Sequence, residues 1–92
     1  MIFLEATIEK IQKWVDSGGG PQQTLIQSIK ILKKMGQAYE FNYCYENGYG
    51  EVFIVFETFD GDSVTFSGEN GEWSFAIERS DGTYIRSKKI KI

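Results

Sequence analysis

Histidine is absent from all 92 residues of the chain. Its absence removes the commonest general base, the usual zinc ligand and the partner of a Ser-His or Cys-His nucleophile. Cysteine occurs once, at Cys44, so no internal disulfide can form, as in proteins of a reducing compartment. Apolar runs are short. None approaches the roughly 18 residues of a membrane span, and MIFLEATIEK lacks the basic leader, long apolar stretch and small-residue cleavage site of a signal peptide. The expectation is a cytoplasmic protein with no membrane partner, no metal and no cofactor. Basic residues are missing from one long block: residues 38–78 carry nine acids and neither Lys nor Arg, for −9. Residues 1–37 sum to +2 and residues 79–92 to +4, which returns the net −3. Charge placed this unevenly concerns partners rather than fold.

What is present fits one domain with one core. Leu4, Ile8, Ile11 and Val15 recur at helical spacing and predict an amphipathic helix over 3–16. Ser17-Gly18-Gly19-Gly20 stops it, and Pro21 suits the start of a second helix over 21–35, with Leu25, Ile26, Ile29 and Leu32 on one face. The short break predicts an antiparallel helical hairpin. After residue 37 the period becomes two. Asn47-Gly48, Asp60-Gly61, Asn70-Gly71 and Asp81-Gly82 then divide the chain into strands near 38–46, 49–58, 62–69, 72–79 and 83–90.

Register follows from the turn types. Two-residue turns at Asn47-Gly48 and Asn70-Gly71, and three-residue turns at Phe59-Asp60-Gly61 and Ser80-Asp81-Gly82, give an inward row Tyr39–Phe56–Val64–Ile77–Ile85. The next inward rows are Phe41–Ile54–Phe66–Phe75–Ser87 and Tyr43–Val52–Gly68–Trp73–Lys89. The fold expected is α+β: an N-terminal helical hairpin packed on one face of a five-stranded antiparallel meander. The outward rows are Glu40–Val55–Thr65–Ala76–Arg86, Asn42–Phe53–Ser67–Ser74–Lys88 and Glu57–Ser63–Glu78–Tyr84, with Cys44 opposite Glu51. No third helix is left to cover them, so Phe53 and Val55 are expected on an open face.

Catalytic readings are weak. Asp60/Asp62 and Glu69/Glu72 sit on tight turns, where aspartate serves turn geometry, and no 12-residue calcium loop is present. Cys44 has no histidine to activate it. The glycine run before the second helix lacks the P-loop spacing and its Lys-Ser/Thr. In size, acidic sheet and lack of catalytic residues, though in no motif, the chain resembles bacterial immunity proteins and phage-encoded inhibitors of host defence. The function expected is a non-catalytic inhibitor or adaptor that binds a protein with a basic surface, competing with nucleic acid for it. Its contact residues would be Tyr45, Tyr49, Glu51, Phe53, Glu57 and Glu78, with tyrosines and Phe53 as anchors and carboxylates speeding encounter. The alternative is a nucleic-acid or small-ligand module using the helical lysines (Lys10, Lys13, Lys30, Lys33, Lys34) or the basic tail (Arg86, Lys88, Lys89, Lys91). A homodimer through the open face or an edge strand is a further expectation.

Overall fold

A computed structural model describes residues 2–92, with side chains from residue 3 onward. Two helices, α1 (Ile2–Asp16) and α2 (Gln22–Met35), precede five strands: β1 (Glu40–Glu46), β2 (Val52–Glu57), β3 (Ser63–Glu69), β4 (Glu72–Glu78) and β5 (Tyr84–Arg86). The strands form one antiparallel sheet in the order β1-β2-β3-β4-β5. Both helices pack on one side of it, so the core joins Ile11, Leu25, Ile29 and Leu32 to Val52, Ile54, Phe56, Phe66 and Trp73.

From β2 to β5 the register is the one the turns dictate. Phe56 faces Val64, Val64 faces Ile77 and Ile77 faces Ile85; Ile54, Phe66 and Phe75 follow in the next row. Asn70 and Gly71 both take positive φ, as a type I′ hairpin turn requires, and Gly61 and Gly82 take it at the ends of the three-residue turns. Trp73 is 1% exposed and its indole N–H donates to Gln27 Oε1 at 2.8 Å, which ties β4 to α2. The ring lies flat over Gly68, where a Cβ would run into it. Thr24 on α2, also buried, accepts from the Gly71 backbone N–H at 3.1 Å.

The first hairpin differs from expectation. Asn47 and Gly48 do not form a two-residue turn; Glu46 pairs with Val52, and residues 47–51 connect the strands. The Asn47 side chain explains why. Its Oδ1 accepts from the backbone N–H groups of Tyr49 and Glu51, and its Nδ2 donates to Glu51 Oε1, so an Asx-type loop replaces the tight turn. The longer loop slides β1 by three residues, and a β-bulge at Asn42 returns one of them. Phe41 rather than Tyr39 therefore opposes Phe56, while Tyr39 and Phe41 both still pack against the core. Beyond the bulge every side chain changes face. Tyr43 and Tyr45 point outward opposite Val55 and Phe53, and Cys44 points to the core opposite Ile54 instead of lying beside Glu51.

Two smaller corrections have similar causes. Regular pairing of β5 ends at Arg86. Trp73 then meets Ile90 rather than Lys89, because an irregular step at 88–89 turns Ile90 against the core and leaves Lys89 to pair with Glu72 at 2.7 Å. On α2, Ile26 is 44% exposed, whereas Thr24, Ser28 and Ile31 are buried. That helix packs on both α1 and the sheet, so its buried arc is wider than a single stripe and rotated away from Ile26. The glycine run serves packing: a Cβ at Gly20, where φ is +68°, would meet the Trp14 ring at 2.6 Å.

The bulge makes a test. Removing Asn42 places Phe41 beside Tyr43 against Phe56 and Val55, which are already consecutive, so both faces keep their side chains. We expect the Asn42 deletion to stay within about 1 kcal/mol of the parent in urea denaturation while associating more readily by light scattering, since a bulge blunts an exposed strand edge. Deleting Cys44 instead swaps the faces of residues on one side of the gap and should unfold the hairpin. Equal damage from both deletions would refute the bulged register.

Candidate functional site: the open face of the sheet

The face away from the helices carries a stacked run of three aromatic rings. Tyr43 and Tyr45 lie two residues apart on β1, with ring centroids 5.9 Å apart and planes 24° apart. Tyr45 in turn stacks on Phe53, its cross-strand partner on β2, at 4.9 Å and 20°. Tyr43 and Tyr45 are half exposed, and together with Phe53 they shield Val55, which is 5% exposed although no described helix covers it. The three-residue slide set by the 47–51 loop brings the β1 tyrosines onto the same face as Phe53, and the bulge at Asn42 lets Phe41 remain on the core face.

From the aromatic run the face continues across β3 and β4 as a floor of Thr65, Ser67, Ser74 and Ala76. It rises again at β5, where the Arg86 guanidinium lies 5.8 Å from the Tyr84 ring centroid. The concavity between Phe53 and the Tyr84–Arg86 pair measures about 450 Å³. Carboxylates occupy both ends. Glu40, Glu57 and Glu78 share one terminal row, and Glu51, Glu69 and Glu72 stand at the other end. Glu72 is paired with Lys89, and Glu57 accepts from Asn42 Nδ2 at 3.3 Å.

The expected contact residues fall into two groups. Phe53 lies at the centre of the face with Tyr45 stacked on it, and Glu51, Glu57 and Glu78 lie at its ends. Tyr49 stands apart, at the tip of the β1–β2 loop and 86% exposed. Tyr43 is the residue that alternation alone misplaces, since Tyr39, Phe41, Tyr43 and Tyr45 read as one inward stripe until the bulge divides them. Tyr84 and Arg86 lie two residues apart on β5, so alternation already sets both on the outward face; the structure adds the stacking of the guanidinium on the ring.

Chemistry elsewhere is sparse. Cys44 is half-buried, and burial pushes its thiol up to about 11, so it stays protonated and a poor nucleophile near neutral pH. Asp81 is held below the usual carboxylate range by hydrogen bonds from the Thr83 hydroxyl and backbone N–H, which is turn chemistry on a solvent-exposed loop. Among the described residues no group of three or more His, Cys, Asp or Glu is placed to hold a metal ion, and no helix is long and apolar enough to cross a membrane. No family model, curated protein or solved structure matches this chain.

Proposed function

We propose that the protein is a non-catalytic inhibitor or adaptor that binds a basic protein surface on the open face of its sheet. The observation that carries this reading is the uncovered Tyr43–Tyr45–Phe53 stack between two groups of glutamates. Aromatic rings supply large contact area at low entropic cost, and their faces attract the guanidinium and ammonium groups that the surrounding carboxylates draw in. Charge steers encounter, and the rings hold the complex once formed. An acidic sheet of this kind competes with nucleic acid for the same basic target, in the manner of immunity proteins and phage anti-defence inhibitors, and would act in the bacterial cytoplasm.

The test is affinity capture from a native-cell lysate with and without nuclease, followed by binding kinetics on the captured protein. Glu57→Lys/Glu78→Lys should slow association about tenfold at low salt and leave the melting temperature nearly unchanged, because both side chains are exposed. Glu51 suits this test less well, since its carboxylate accepts from Asn47 at 2.8 Å in a partly buried bond that helps to shape the loop, whereas the bond from Asn42 to Glu57 is exposed and 3.3 Å long. Unaltered association in the double variant would refute an acidic docking face.

A second reading has one specific observation in its favour. Exposed aromatics on a sheet also stack nucleobases, and Tyr43, Tyr45 and Phe53 present such a platform. Six glutamates around it oppose a phosphate backbone. Titration of single-stranded RNA and DNA against salt separates the two readings, because phosphate binding must fall steeply as salt rises.

A further inference from the structure

The helical layer is narrower than the sheet beneath it. α1 and α2 lie mainly over β1, β2 and β3, and α2 reaches the start of β4 at Trp73. Strands are spaced about 4.8 Å apart, so β4 and β5 carry the sheet roughly 10 Å beyond β3, the diameter of one more helix with its side chains. Past Trp73, which α2 covers, the inner face there is apolar and incompletely covered. Phe75, the cross-strand partner of Phe66, and Ile77 are half-buried, and Ile85 is 39% exposed.

Where this strip meets α2 it deepens into a trough of about 320 Å³. Met35, Phe66, Ile90 and Ile92 form its apolar walls and floor. The polar side chains that line it are all cationic: Lys30 and Lys34 are one helical turn apart on α2, and Lys91 extends from the C-terminal segment opposite. Among the described residues no carboxylate side chain lines the trough, in contrast to the glutamates on the other side of the sheet.

We propose that this trough seats an amphipathic helix of a partner protein whose polar face is acidic. Width and charge together specify the occupant. A small ligand is held when most of its surface is enclosed, whereas the apolar surface here continues in the open to Ile85, 39% exposed, and Ile92, 38% exposed. A helix needs only one face covered, and its apolar stripe would lie along Phe66, Phe75 and Ile85 while its acidic flanks meet the lysines. The site lies on the opposite side of the sheet from the docking face proposed above, so either can fail without the other.

The experiment is a ¹H–¹⁵N NMR titration of the full chain with a synthetic amphipathic peptide of about 18 residues, long enough to form a helix. One peptide carries Leu on one face and Glu on the other; its control replaces every Glu by Lys. A third probe, palmitate, represents a small anionic amphiphile. The acidic peptide should shift the amides of Lys30, Lys34, Phe75 and Ile85, and the basic control should not. Lys30→Glu/Lys34→Glu, both on exposed positions, should weaken the acidic peptide about tenfold or more and leave the remaining spectrum in place. Equal binding of both peptides, shifts confined to other surfaces, palmitate binding in the trough without peptide binding, or no peptide binding at all would each overturn the proposal.

Discussion

Phe56→Ala will cost about 3–5 kcal/mol of folding stability, measured as a drop in urea midpoint at unchanged slope. Phe56 is fully buried between the helices and the centre of the sheet. It packs edge-on against Phe41 at 5.9 Å and against Phe66 at 6.1 Å, and so joins β1 to β3. Truncation removes the buried ring and leaves a hole that three neighbouring strands cannot close without breaking their ladder hydrogen bonds. Phe53→Ala is the control, on the same strand and of the same chemistry. Its side chain stands on the uncovered face, stacked on Tyr45, so water fills the space it vacates and the cost should be about 1 kcal/mol. Similar losses for the two variants would mean that the helices do not choose between the faces of β2.

That contrast rests on the part of the fold that the sequence shows most clearly. Three turn signals and a two-residue period place β2, β3, β4 and β5 in register, because the Asp-Gly and Asn-Gly turns there adopt the lengths their chemistry favours. The same reasoning fails at Asn47-Gly48. A side chain that can accept from two backbone N–H groups stabilises a longer loop, and nothing in the dipeptide distinguishes the two outcomes. The bulge at Asn42 is harder still to see. Bulges carry no fixed residue signature when the extra residue is not glycine, and an unbroken aromatic alternation from Tyr39 to Tyr45 argues for a regular strand. The hydrophobic pattern is satisfied on both faces at once: inward by Phe41 and Cys44, outward by Tyr43 and Tyr45. Phe53 and the glutamates of the open face were therefore legible, whereas the stack that makes the face a candidate site was not.

The position of Tyr45 in that stack leads to the largest binding effect expected here. Tyr45 sits between Tyr43 and Phe53, so its ring fixes the orientation of the other two. Interface energy concentrates in central aromatic residues surrounded by contacts that exclude water, and truncating one typically costs about 2 kcal/mol or more of affinity. Tyr45→Ala should therefore weaken the captured partner about thirtyfold or more, while a half-exposed side chain on an edge strand puts the stability change near 1 kcal/mol. Tyr45→Phe keeps the stacked ring and should keep most of the affinity if stacking is the contribution that matters. Tyr49→Ala locates the contact. Tyr49 projects from the loop tip, outside the stack, and its loss should change affinity less than about threefold if the partner lies on the sheet. The reverse ranking, with Tyr49→Ala severe and Tyr45→Ala silent, would move the contact from the sheet face to the hairpin tip, and the glutamates at the far end of the sheet, Glu57 and Glu78, would then lie too distant to take part.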